Sequence, residues 1–165
     1  DNFSKKFPKQ FLNVGVAEQN MIMIAAGLAF EGKKVFAYSI ANFPTLRCLE
    51  QIRNDGCYHD LNITIVASGG GFSYGSLGMS HHATEDIGIL RALPAMRVVA
   101  PGTAWEACEA IEALIKADGV GYLRLDKTVA NVNKKHLFSH IVFVTFISAI
   151  VITNIRVSFL TGVNG

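Results

Sequence analysis

The chain predicts an α/β domain with a mostly parallel sheet and helices on both faces. Three observations carry this. Strand-like runs alternate with helix-like runs along the chain. The runs are short and β-branched, as in strands buried on both sides. Half of the 165 residues are hydrophobic, enough for a substantial core in one domain with or without an appendage. In such a domain the functional crevice lies beyond the carboxyl ends of the strands.

Phe11 to Val16 reads as the first strand. Met21 to Phe30 follows as a helix that is apolar on nearly every side, with Gly32 suited to end it. Val35 to Ile40 is a buried strand. Pro44 to His59 has helical spacing at Leu46, Leu49 and Ile52, and Pro44 suits a first turn. Ile63 to Ala67 is the next strand, and a Gly-rich loop runs from Ser68 to His82. Thr84 to Leu93 predicts a short helix with Thr84 as a candidate cap. Met96 to Ala100 is a strand closed by Pro101-Gly102. Thr103 to Ala117 is an amphipathic helix with Thr103 at its N-cap. Gly121 to Leu125 is the last strand of the pattern. The polar start at Asp1, without Met, reads as a fragment whose first strand and helix lie upstream.

A net charge of +2 gives no reason to expect nucleic acid. The three cysteines, Cys48, Cys57 and Cys108, lack CxxC spacing and read as reduced thiols of a cytoplasmic protein. Glu18 stands where the first strand gives way to a helix. Two readings apply to it: a functional carboxylate in the crevice, or a first-turn acid favoured by the helix dipole. The loop Gly69-Gly70-Gly71-Phe72-Ser73-Tyr74-Gly75 to His81-His82 is long enough to be functional, and its glycines allow close approach of a ligand. Adjacent histidines point apart on an extended chain, so no metal site is expected here; His81 and His82 suit hydrogen bonding or proton transfer to an oxygen-rich substrate. The phosphate-loop pattern GxxxxGK[ST] and the pattern GxGxxG are both absent. Arg124 and Lys127, at the end of the last strand, are either phosphate ligands or a solvated strand end.

Four segments stand in a fixed order: Phe11-Leu12-Asn13-Val14-Gly15-Val16-Ala17-Glu18-Gln19-Asn20-Met21, Ala26-Gly27-Leu28-Ala29, Tyr38-Ser39-Ile40-Ala41-Asn42-Phe43 and Gly78-Met79-Ser80-His81-His82. Together they resemble the pyrimidine-binding, central domain of the transketolase family, as found in C-terminal transketolase-like sections and split transketolase subunits. The resemblance covers about Asp1 to Lys127. It implies thiamine diphosphate as cofactor. It places Glu18 where a glutamate hydrogen-bonds N1′ of the aminopyrimidine, and Phe43 and Pro44 beside that ring. His81 falls on the histidine that meets substrate hydroxyls, His82 replaces a usual Gln, and Lys127 or Arg124 falls near a phosphate-binding arginine. Leu77 stands where many members carry an acid that reads sugar stereochemistry, and Arg47 and Glu50 stand where aromatics are common.

The GDG segment with a later Asn that holds Mg²⁺ and diphosphate in thiamine enzymes is absent. The resemblance therefore implies that a partner subunit or domain holds Mg²⁺ and the diphosphate. The chain would be inactive alone and active as a homo- or hetero-oligomer on a sugar phosphate. Helix 21–30 is a candidate for that interface, or simply core. The implied reaction is transfer of a two-carbon ketol unit. The alternatives are a 1-deoxyxylulose-5-phosphate-synthase-like or 2-oxo acid dehydrogenase β-type subunit, and a non-catalytic subunit that keeps the fold.

The resemblance supports a domain at 1–130 and fails beyond it. Residues 131–165 form an atypical hydrophobic tail, in which Ile141 to Ile155 carries no charge. It is short for a membrane span and β-branched enough for strands. A membrane anchor, a terminal strand pair and a non-native or truncated end are the three readings, and the last is the one favoured here.

Overall fold

The computed structural model describes residues 2–127 and 148–153. Its centre is a six-stranded sheet in the order β1-β6-β2-β3-β5-β4. Here β1 is Phe11–Gly15, β2 Lys34–Ile40, β3 Ile63–Ser68, β4 Arg97–Val99, β5 Gly121–Leu125 and β6 Ser148–Thr153. Strands β2, β3, β5 and β4 are mutually parallel. The backbone of β6 runs antiparallel to both β1 and β2, so β1 points the same way as the other four. The carboxyl ends of β1, β2, β3 and β5 therefore share one edge. The loops that leave it carry Glu18, Asn42, the Gly-rich segment and Lys127. The domain boundary expected near residue 130 lies outside the described residues, as does the rest of the tail around β6.

Side-chain alternation divides the core. Val35, Ala37, Ile63, Ile65, Ala67 and Tyr122 face one side and pack with Met21, Ile22, Ala25 and Ala26 of α2 (Glu18–Phe30) and Leu90 of α5 (Asp86–Arg91). Tyr38, Val66 and Leu123 face the other side and meet Ala110 and Leu114 of α6 (Ala104–Lys116). Helices thus cover both faces, as the fold class requires. Full burial of Met21 or Ile22 contributes roughly 1.5–3 kcal/mol each.

Helix α2 starts at Glu18, three residues before the sequence pattern places it, because Ala17 supplies no side-chain cap to mark the start. One side of it is open: Met23 and Phe30 are more than half exposed. Its end is a Schellman motif. Gly32 takes φ 77°, its N–H reaches the Ala29 carbonyl at 2.9 Å, and the Lys33 N–H reaches that of Leu28 at 3.2 Å. The single helix expected over 44–59 is broken into three pieces. These are α3 (Asn42–Leu46), α4 (Leu49–Gln51) and a π-turn at Ile52–Cys57. Pro44 fits the first turn of α3, where no intrahelical N–H bond is lost. Cys48, at φ −113° and ψ 11°, interrupts the helix. The widened turn then seats Gly56 on Val120.

Thr84 does not cap α5. Glu85 occupies the N-cap without a side-chain capping bond, and the Thr84 hydroxyl donates to the Glu85 carboxylate instead, at 2.8 Å. That bond is the main cause holding Glu85 below its ordinary pKa. Thr103 does cap α6, in a capping box with Glu106. The first turns of the chain, α1 (Asn2–Lys6), precede β1. Among the described residues no helix is long and apolar enough to cross a membrane.

Candidate active site

Glu18 is the first residue of α2, and its carboxylate is 5% exposed. The helix dipole favours an anion there. The Ser39 hydroxyl lies 3.4 Å from one carboxylate oxygen, and Arg47 Nη1 lies 3.2 Å from the other. Arg47 is half exposed. Its backbone carbonyl accepts a bond from the Gln19 side chain at 2.9 Å. Its guanidinium rests 4.2 Å from the centre of the Phe43 ring, in cation–π geometry. Pro44 is buried in the same helical turn.

The Gly-rich loop brings the histidines to this corner. A two-bond bridge closes it: Gly71 N–H to the Ala83 carbonyl at 2.7 Å and Ala83 N–H to the Gly71 carbonyl at 2.9 Å. Asn42 then donates to the Ser80 carbonyl at 2.6 Å, tying the loop to α3. The Asn42 Oδ1 atom is buried and has no partner. His81 stands edge-on to Phe43, with ring centres 5.2 Å apart, and 5.9 Å from the Tyr74 ring. Its Nδ1 pairs with the Ser80 hydroxyl at 3.0 Å. Lys127 Nζ sits 4.5 Å from the Tyr74 ring centre.

Most of the residues singled out in the sequence therefore form one unbroken line of contacts. It runs Glu18, Arg47, Phe43, His81, Tyr74, Lys127. His82 lies beside that line rather than in it. Its Nε2 is 2.9 Å from the Gly75 carbonyl, which can only accept, so that nitrogen carries the proton. Its ring packs against Phe72. Arg124 lies beneath the loop. Its Nε is 3.0 Å from Asp86 Oδ2, and its Nη2 donates to the Ala83 carbonyl at 3.3 Å. The sequence alone assigns Ser39, Tyr74, Asn42 and Asp86 no individual role in the site. The alternation of Tyr122 and Arg124 on β5 was the available signal for Asp86, since both side chains had to share a face with the helix it begins.

Among the described residues no group of three His, Cys, Asp or Glu side chains is arranged to hold a metal. A nitrogen heterocycle that donates hydrogen bonds suits the groups present. Glu18 offers a buried carboxylate, Phe43 an aromatic surface, and Asn42 Oδ1 an acceptor without a partner.

Cys48 lies behind the site, fully buried. Burial, reinforced by the Glu18 charge and opposed by Arg47, pushes its thiol from 9.0 up to about 12. A raised folded pKa means that this contribution to stability is complete below pH 9.0. It drains away as pH rises toward 12, by an amount of order 4 kcal/mol. Burial likewise raises Tyr122 above 10.0, so it adds to the loss at higher pH. Urea unfolding measured below pH 9.0 and again near pH 12 should show the drop, and Cys48→Ala should flatten it over that window. An unchanged slope in the variant would remove Cys48 as its source.

A mostly parallel α/β sheet with a buried carboxylate and a histidine loop at its carboxyl edge belongs to the class of α/β domains that bind ligands at that edge. The particular family follows from comparison. Residues 1–132 match the family model described as transketolase, pyrimidine binding domain, and the chain belongs to that family. A protein of Methanocaldococcus jannaschii, provisionally named as a transketolase C-terminal section, is 46% identical over 125 residues, 76% of this chain and 40% of its own. One of the subunits of the apulose-4-phosphate transketolase of Phocaeicola vulgatus is 39% identical over 126 residues, again 76% of this chain and 40% of its own. A solved structure described as a split gene transketolase, inactive beta4 tetramer, superposes with a TM-score of 0.69 at 38% identity, covering 77% of this chain and 40% of that one. The chain thus spans about 40% of the length of these relatives.

Proposed function

We propose that this chain is the pyrimidine-binding half of a thiamine-diphosphate-dependent transferase of the transketolase type. It would move a two-carbon ketol unit between sugar phosphates. The observation that carries the reading is the line of contacts from Glu18 through Phe43 and His81 to Lys127. It joins a buried acid, an aromatic surface, a polar ring and a cation at one sheet edge.

When bound, the cofactor supplies the electron sink for carbon–carbon bond chemistry. The chain's own residues do the rest. Glu18, 5% exposed, would hold ring nitrogen N1′ through its carboxyl group and share a proton with it, largely shielded from water. Phe43, next to buried Pro44, would flank the pyrimidine. His81 offers its ring to substrate hydroxyls, and Lys127 offers its charge to the substrate phosphate. His82 acts by holding the loop through Gly75. Mg²⁺ and the diphosphate belong to a partner subunit or domain, and the assembly is an oligomer. Two relatives, one named as a transketolase subunit and one as a split-gene tetramer, support a partner. A cytoplasmic location belongs to the same proposal.

Calorimetric titration of thiamine diphosphate and Mg²⁺ tests it, with this chain alone and mixed with a diphosphate-binding transketolase subunit. Binding should occur in the mixture alone and weaken with Glu18→Ala. No heat in the mixture, from chains shown to be folded, would return the chain to the non-catalytic reading. Pyruvate used in place of a ketose phosphate as donor would mark the synthase-like alternative.

A further inference from the structure

We infer that Asp86, Tyr122 and Arg124 form a buried clamp that positions the histidine loop, so that Arg124 serves His81 and His82 rather than a ligand. As a statement about catalysis, this rests on the function proposed above. Four observations converge on it. Asp86 is 2% exposed and Tyr122 fully buried, and the Tyr122 hydroxyl donates to Asp86 Oδ2 at 2.6 Å. The same oxygen meets Arg124 Nε at 3.0 Å. The far end of the guanidinium donates to the Ala83 carbonyl at 3.3 Å, the residue directly after His82. The guanidinium also lies against Gly70, where any Cβ would overlap it, and close to Gly71.

The arrangement reads as a lever with a fixed foot. Tyr122 and Arg124 project from the same face of β5, two residues apart. Asp86 is anchored by α5, whose Leu90 is fully buried. The phenol fixes the carboxylate, and the ion pair at Nε, the bond to Ala83 and the Gly70 backbone together set the angle of the guanidinium. A planar guanidinium with its donors in a fixed fork transmits that angle to the Gly71–Ala83 bridge. The bridge closes the loop immediately beside both histidines. A lysine at 124 could reach Asp86 but has no second donor plane for Ala83. Glycine at 70 is required by space, since its backbone φ is not in the left-handed region.

The test reads the histidines directly. Imidazole C2–H resonances of this chain are assigned with His81→Gln and His82→Gln and compared among variants. Arg124→Met and Gly70→Ala should both shift the His81 and His82 signals, and Arg124→Lys should bring them part of the way back. Leu114→Ala, a core change on the opposite face, should cost stability and leave both signals in place. In the assembled enzyme, Arg124→Met should lower kcat on the order of 10²-fold, as expected for a misplaced group, without changing cofactor affinity. Unmoved histidine signals in folded Arg124→Met overturn the clamp. Where that variant does not fold, unmoved signals in Gly70→Ala do so. Equal shifts in Leu114→Ala also overturn it. Shifted signals with no ketol transfer by the unaltered complex would sustain the clamp and sink the catalytic reading instead.

Discussion

Glu18→Gln should lower kcat of the assembled enzyme by about 10²–10⁴-fold, the range that proton transfer by a positioned side chain commands. Glutamine has nearly the same shape, so it fills the same space at the start of α2 and can still accept a bond from Ser39. What it lacks is an ionisable oxygen with which to share a proton. The structural cost is small. Arg47 loses its partner but is half exposed, and a pair open to solvent on one side contributes at most about 1 kcal/mol. The measurement is kcat at saturating cofactor, set beside thermal unfolding of the same variant. Full activity in the folded variant would show that the carboxylate takes no part in proton movement. A loss of activity that tracked a loss of fold would instead assign Glu18 to the helix terminus alone. The two readings of this residue are physically compatible, because the helix end that stabilises a carboxylate is also the edge where the crevice opens.

Strand β6 was not legible, since it comes from the tail and enters antiparallel between β1 and β2. The other five strands were legible because they are short apolar runs bounded by turns, the parallel pattern within the sequence itself. Thr103 was legible as a cap for the same local reason: its hydroxyl and Glu106 lie within one turn. The interruptions of helix 44–59 were not. The π-turn at Ile52–Cys57 brings Gly56 against Val120, a residue just before β5, and no window around Gly56 contains that contact. Glu18, Phe43 and His81 were legible as a constellation only through order and spacing across separate segments. The sequence could not show that Arg47 joins Glu18 to Phe43. Nor could it show where Arg124 turns. At the end of a strand the side chain has two courses, outward to solvent or inward across a loop, and a buried acid on another element decides between them. In Thr84-Glu85-Asp86 three polar residues compete for the cap, and Asp86 instead goes under the sheet edge to meet Tyr122.

That choice sets the largest stability effect expected in the molecule. Asp86→Ala should destabilise the fold by about 3–5 kcal/mol, the cost of removing one partner from a buried ion pair. Two groups are stranded at once. The Tyr122 hydroxyl loses its acceptor in a fully buried position, and the Arg124 guanidinium, about three-quarters covered, loses its counter-charge. Tyr122→Phe offers the contrast. It removes a single donor while Arg124 continues to pair with the carboxylate, so about 1–3 kcal/mol is expected. Urea denaturation of the two variants at neutral pH measures both. If hydrogen bonding alone mattered, the two losses would be similar; the predicted gap between them is the contribution of charge. Adding Arg124→Met to Asp86→Ala should recover part of the loss, since an apolar chain of similar length has no charge to strand. Failure of that rescue would mean that Asp86 stabilises α5 locally and that its pairing with Arg124 contributes little. The same double variant would still lack a guanidinium under Gly70. It should therefore regain stability without regaining the loop geometry, which separates what holds this domain together from what aims its histidines.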